Sequence, residues 1–231
     1  MPKNITYSIP ALKRLPGYLG ELRKRSARGE ERISCPALAE ALHLDAIGVR
    51  KDLEMAGAVG SPGVGFRIPE LVDRLETFLG WKNTSEAFLV GAGELGSALL
   101  GYRGFEQHGL RIVAAFDRDP VEEGREVHGI PVFGISHFHH YARRLQIRIG
   151  ILCVPDSEAQ RTAEIMVDAG ILAIWNFTDQ PLKLPEEIIR QRVNLAGDLA
   201  VLSVRLAERI RNMDLAPAAE GESPDNKGEK G

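Results

Sequence analysis

The chain has 231 residues, 44% of them apolar, and a formal net charge of −3, which suffices for one large or two modest domains with filled cores. No apolar run approaches the about 20 residues of a membrane helix and the N-terminus has no apolar signal core; with Cys35 and Cys153 far apart and read as thiols, a cytoplasmic address is expected. Residues 1–80 carry 12 Lys and Arg against 10 Asp and Glu while the other 151 carry 17 against 22, so the basic character sits in front, and a uniformly basic nucleic-acid binder is excluded.

From Ile9 to about Arg28, Leu12, Leu15, Leu19 and Leu22 recur at helical spacing, and Pro16-Gly17 predicts a kink or restart. Ser34 precedes Cys35-Pro36, with proline in the first turn of a second helix. His43-Leu44 is a tight turn, Asp45 the N-cap of a third helix, and Gly57 its left-handed end. Two short helices about a tight turn make a helix-turn-helix. Gly60, Gly63 and Gly65 then space a hairpin ending in Phe66-Arg67-Ile68, the wing of a winged-helix domain. Along Ala46 to Ala56, the residues Val49, Leu53 and Ala56 share a face that packs on the first helices, leaving Ile47, Arg50, Lys51 and Glu54 outside. Arg50 suits guanine edges or phosphates and Lys51 suits phosphates; Asp45, Ile47, Gly63 and Arg67 complete the candidate DNA-contacting set. Asp52 would repel DNA, so its expected role is to hold a neighbouring arginine. A small helical bundle with an ordinary charged surface is the plainer reading of the same residues.

After a linking helix from Pro69 to about Leu79, strand-like runs at 87–91, 110–117, 147–154 and 171–177 alternate with helical stretches at 94–103, 136–145 and 157–169. That rhythm belongs to a doubly wound parallel sheet. Residues 188–193 read as a last strand, and Leu195, Leu199, Leu202, Leu206 and Ile210 as the stripe of a long amphipathic helix. The expected organisation is α/β: a winged-helix domain over 1–80, a Rossmann-like domain over 81–193, a C-terminal helix over 194–213 and a disordered tail over 214–231.

Gly91-Ala92-Gly93-Glu94-Leu95-Gly96 fits G-x-G-x-x-G between a strand and a helix: the first glycine for the turn, the second for close approach of a pyrophosphate, the third for helix–strand packing. Asp117 ends the next strand 21 residues after Gly96, where a carboxylate takes ribose hydroxyls and disfavours a 2′-phosphate, although Arg118 and Arg125 stand nearby. This points to NAD rather than NADP. Cys153, Val154 and Pro155 end a central strand at the cofactor edge, with Cys153 read as a small core residue rather than a redox thiol. His128, His137 and His140 lack carboxylate or cysteine partners at matching spacing, so no metal site is expected.

In their full order these features resemble the redox-sensing transcriptional repressor family Rex. The resemblance rests on Val49-Arg-Lys-Asp-Leu53 before the glycine-rich wing, the glycine loop with Ala98-Leu99 and Tyr102-Arg-Gly-Phe105, Phe116-Asp117, Val154-Pro155 with Ala159-Gln160, Gly170-Ile171, Asn176-Phe177, and Asn194 to Leu199. It covers about residues 5–212. It implies a non-enzymatic, NADH/NAD+-responsive homodimer that binds a palindromic double-stranded operator when NADH is scarce and releases it when NADH binds. It also implies a domain-swapped C-terminal helix, with Tyr102 and the swapped Asp198 near the nicotinamide end. Ser61-Pro62 stands where the family's wing has a basic residue, Glu94 where the loop has Asn, and Thr178-Asp179 where Ala-Pro is typical. Two other classes remain open from the residues themselves. One is a small NAD-dependent oxidoreductase using Tyr102, Cys153 or Asp156, though only some 20 ordered residues follow the last strand. The other is a regulator answering to a sugar or a nucleotide.

Overall fold

The computed structural model describes residues 7–118, 122 and 124–214. The tail expected from 214 onward lies, from residue 215, outside the described residues.

The N-terminal part comprises α1 (Ile9–Ala27), β1 (Arg32–Ile33), α2 (Cys35–Ala41), α3 (Ala46–Met55), β2 (Phe66–Arg67) and α4 (Ile68–Phe78). The restart expected as one outcome at Pro16 does not occur: α1 runs unbroken through it. Pro16 and Gly17 both lie on the exposed side, where a carbonyl deprived of its N–H partner is hydrated rather than orphaned. Both central helices are capped as their sequences demand. Ser34 Oγ accepts from Ala37 N at 3.2 Å and Asp45 Oδ2 from Gly48 N at 2.7 Å. Leu15, Leu19, Leu22, Leu38, Val49, Leu53, Ile68, Leu71 and Leu75 fill one core.

The hairpin expected of the wing is smaller than a two-stranded arm. β2 pairs antiparallel with β1, from before α2, while the wing itself is closed by Ser61 and Gly65, which exchange both backbone hydrogen bonds at 2.9 Å. Pro62 and Gly63 occupy the central positions of a turn closed by Val64 N to Ser61 O at 3.1 Å, and the φ of +74° at Gly63 makes it type II. Gly65 (φ +81°) admits no side chain, because a Cβ would strike the Ile33 carbonyl.

The remainder forms β3 (Ser85–Val90), α5 (Glu94–Leu100), a 3₁₀ turn (Arg103–His108), β4 (Leu110–Asp117), β5 (Glu126–Val127), β6 (Ile130–Gly134), a 3₁₀ turn (Ile135–His137), α6 (Phe138–Leu145), β7 (Ile149–Leu152), α7 (Asp156–Asp168), β8 (Ala173–Asn176), β9 (Ile189–Arg192) and α8 (Leu195–Asp214). The seven-stranded sheet has the order β5-β6-β4-β3-β7-β8-β9. All pairs are parallel except β5–β6. From β6 to β9 this is the 3-2-1-4-5-6 order of dinucleotide-binding sheets, with its crevice where β3 and β7 diverge to opposite sides. β3 is apolar at consecutive positions because both its faces are covered. Phe88 and Val90 join the core under α6 and α7 with Phe116, Phe138 and Met166, and Ala87 and Leu89 join the core under α5 with Leu100, Ala115 and Ile151.

Several boundaries differ from expectation. The helix expected over 94–103 ends at Leu100, and that over 136–145 begins as a 3₁₀ turn. The β5–β6 hairpin was not anticipated; His128 (φ +53°) and Gly129 (φ +79°) form its two-residue turn, as a type I′ turn requires. Finally, the apolar stripe of α8 is uncovered among the described residues: Leu195, Leu199, Leu202, Leu206 and Ile210 are all exposed.

Candidate nucleotide cleft and nucleic-acid interface

At the carboxyl ends of β3 and β7 lies a cleft of about 550 Å³ lined by the glycine loop, Asp117, Arg118, Ile135, Cys153, Val154, Pro155 and one side of α7. Each glycine of the loop is needed for a different reason. Gly91 has φ +98° and packs against the next strand end, where a Cβ would lie 2.6 Å from the Cys153 carbonyl carbon. At Gly96 a Cβ would lie 2.9 Å from the Gly91 carbonyl carbon and closer still to its oxygen, so this residue lets α5 touch β3. A Cβ at Gly93 would meet nothing within 4 Å, and Gly93 is one of the residues that line the cleft. The backbone at Gly93 is therefore open to close approach.

Asp117 is engaged before any ligand is considered. Its Oδ2 accepts from Ala92 N at 3.1 Å and its Oδ1 from Arg118 N at 2.7 Å. Each oxygen retains a lone pair for a hydroxyl. Glu94 and Leu95 open α5 on its exposed side. Burial pushes the Cys153 thiol up to about 12, so it is protonated and inert at neutral pH. Sequence reading missed the far wall: Glu158, Arg161, Thr162 and Ile165 line the cleft from α7. Their i, i+3, i+4, i+7 spacing after Pro155 was the available signal.

Two expected residues do not join this cleft within the chain. Tyr102 is 56% exposed and packs edge-on to Phe105 with ring centroids 4.9 Å apart; it lines a different cavity, with Arg103, Arg111 and His128. Asp198 stands in the first turn of α8, whose apolar stripe is exposed among the described residues. Among the described residues no three His, Cys, Asp or Glu side chains are grouped to hold a metal. None of the described helices is long and apolar enough to cross a membrane.

The second surface is the outer side of α3. Val49, Leu53 and Ala56 are buried, whereas Ile47 is 66% exposed and Arg50, Lys51 and Glu54 face solvent. Arg50 Nε donates to Glu54 Oε1 at 2.9 Å and Arg67 Nη1 to Glu70 Oε1 at 2.7 Å. Both pairs are exposed, and such pairs cost little to open. Asp45 serves as the N-cap, and Gly63 shapes the wing tip. Asp52 turns inward, as expected of a carboxylate that holds an arginine. Arg14 Nε and Nη2 donate to its two oxygens at 2.7 and 2.8 Å, and Tyr18 OH donates to Oδ2 at 2.6 Å. Burial pulls the Asp52 carboxyl upward, but the bonds from Arg14 and Tyr18 outweigh it and hold the group below the usual carboxylate range. Burial, then the bond to Asp52, push Tyr18 up to about 12.

Residues 8–54 match a family described as a putative DNA-binding protein N-terminus, and residues 82–180 one described as a CoA binding domain. A redox-sensing transcriptional repressor Rex from Treponema denticola is 43% identical over 89% of this chain and 98% of its own. A crystal structure of RSP in complex with β-NAD+ and operator DNA superposes with a TM-score of 0.83, at 34% identity, over 93% of this chain and all of that one. RSP in complex with β-NADH gives a TM-score of 0.80 at 34% identity over 92% of this chain and all of that one. Identity at this level across both the helix-turn-helix and the glycine-loop sheet shows that the chain belongs to the Rex family of redox-sensing transcriptional repressors.

Proposed function

We propose that this chain is an NADH/NAD+-responsive repressor that binds a palindromic operator as a homodimer and lets go when NADH occupies the cleft. One observation carries the reading: a dinucleotide crevice and an open base-reading helix share a chain that superposes along 93% of its length on a protein holding both NAD+ and operator DNA. The open space at Gly93 fits a dinucleotide, whose pyrophosphate needs close backbone approach. Asp117 would hold the adenosine ribose, with Arg118 and Arg161 beside it. Val154, Pro155 and Cys153 would flank the route to the nicotinamide. The bound dinucleotide supplies no reaction here, only a ring that is positive in one redox state and neutral in the other. Apolar surroundings penalise the charged ring, which lets the site report the ratio.

The exposed leucine stripe of α8 supports dimerisation through this helix, swapped onto a second copy and carrying Asp198 towards the partner's cleft near Tyr102. A two-fold dimer reads a palindrome when its recognition helices lie about 34–36 Å apart, or a multiple of that distance. Rotation of the two halves about the swapped helices would break this match. Such a repressor meets its operator in the cytoplasm. The oxidoreductase reading is not favoured, because the thiol of Cys153 is protonated and the matched relatives are repressors.

The test is selection of bound sequences from random duplex with and without NADH. The expected outcome is a palindrome recovered without NADH and lost with it. By linkage, operator must weaken NADH binding by the factor by which NADH weakens operator binding. Equal NADH affinity with and without the recovered duplex would overturn the proposal.

A further inference from the structure

Among the described residues, Asp52 is the only charged side chain that is fully buried, 4% exposed. It sits in the helix whose other side faces outward for DNA. Its partners Arg14 and Tyr18 lie one turn apart on α1, and together they occupy both of its oxygens. Farther along α1, Arg23 Nη2 donates to Glu76 of α4 at 2.7 Å. At the far end of α3, Arg74 of α4 donates to the Ala56 carbonyl at 2.9 Å. After α4 the chain passes within a few residues into β3 of the nucleotide-binding sheet.

Asp52 is buried but the Arg14 side chain is 36% exposed, so the carboxylate is desolvated while its cation is screened by water, and the pair is a weak source of net stability. What it supplies is geometry. The apolar contacts of Val49 and Leu53 are non-directional and would let α3 turn or slide on α1. A planar guanidinium on both carboxylate oxygens, with a phenol on one of them, admits one arrangement.

We infer that Asp52, held by Arg14 and Tyr18, is a positioning residue for DNA recognition: it fixes α3 on the α1–α4 frame, so that displacement of the nucleotide domain reaches the base-reading side undiminished. This inference rests on the repressor reading. It also assigns a use to the buried charge, which stability alone does not explain.

The test uses the full-length protein, the duplex recovered in the selection above and a scrambled duplex of equal length. Arg14→Met/Asp52→Leu removes both charges while keeping apolar volume. The expected result is a Tm within a few degrees of the parent and unchanged NADH affinity. The ratio of selected to scrambled affinity falls at least tenfold, and so does the factor by which NADH weakens operator binding. Tyr18→Phe removes one tie and leaves the ion pair, so a severalfold loss in the same ratio is expected even if the double variant does not fold. Rescue is expected in Arg14→Lys, which keeps one donor and recovers part of the ratio. Parent-like ratios and NADH response in the double variant, or in Tyr18→Phe when the double does not fold, overturn the inference. A parent protein that does not distinguish the two duplexes overturns the repressor reading itself and this inference with it.

Discussion

Alanine at Gly93 and alanine at Gly96 separate what the glycine loop does for the fold from what it does for a ligand. At Gly93 the backbone is extended, with φ −72° and ψ −160°, and a methyl meets no atom of the protein. The substitution also removes backbone freedom from the unfolded chain, worth about 0.4–1 kcal/mol, so Tm should hold or rise slightly. Yet the methyl extends about 1.5 Å from backbone that lines the cleft, where a pyrophosphate must touch it. NADH affinity should fall at least tenfold, or about 1.4 kcal/mol. At Gly96 the methyl overlaps the Gly91 carbonyl, and overpacking of this kind costs about 1–3 kcal/mol. At roughly 2–4 °C per kcal/mol for a chain of this size, Tm should drop by about 2–12 °C, and affinity should fall with it as α5 moves off β3. Scanning calorimetry and NADH fluorescence titration read the two quantities independently. Parent-like NADH affinity in Gly93→Ala would refute the reasoning, since no dinucleotide could then lie against that residue.

Thr178 carries a buried hydroxyl with no hydrogen-bond partner among the described residues; Thr178→Val should raise stability by about 1 kcal/mol, the cost of an unsatisfied group, measured by denaturant unfolding. Burial raises both thiols, Cys153 to about 12 and Cys35 above its usual value, so native protein at pH 8 should react with iodoacetamide far more slowly than unfolded protein, as mass spectrometry of the labelled peptides would show. The Asp52 carboxyl lies below its unfolded value; its contribution is therefore complete above about pH 4 and lost as pH falls through the native value, and Asp52→Asn should flatten the acid limb of Tm against pH. Tyr18 and Cys153 have the opposite sign, so their contributions hold below pH 9 and fade as pH rises towards 12. Leu199→Asp/Leu202→Asp on α8 should leave the secondary structure intact by circular dichroism while sedimentation shows monomer in place of dimer.

The parts of the chain legible in its sequence are those where one residue type answers one geometric demand. Gly91 and Gly96 could be read because nothing else fits a left-handed turn or a helix pressed on a strand. The two sides of α3 could be read because Val49, Leu53 and Ala56 keep helical spacing, and Asp52 because a carboxylate on a helix meant for DNA would repel it and is better used holding an arginine. Which cation it takes was not legible: Arg14 lies 38 residues upstream, and only the packing of α1 on α3 brings it near. Tyr18 was silent for the same reason. The β5–β6 hairpin is not legible because its first strand has two residues and Pro131, a residue that argues against a strand, stands inside the second. Arg161 and the α7 wall of the cleft were visible only as spacing, without a motif to attach them to.

The hydrogen bond from Ala92 N to Asp117 bears on how quickly the cleft can fill. A carboxylate from the neighbouring strand already holds the loop in its curved shape, so arrival of a dinucleotide requires no folding of that loop. Stopped-flow traces of NADH uptake should accordingly show a single phase whose rate rises in proportion to concentration, and any slower step should belong to the reorientation of whole halves.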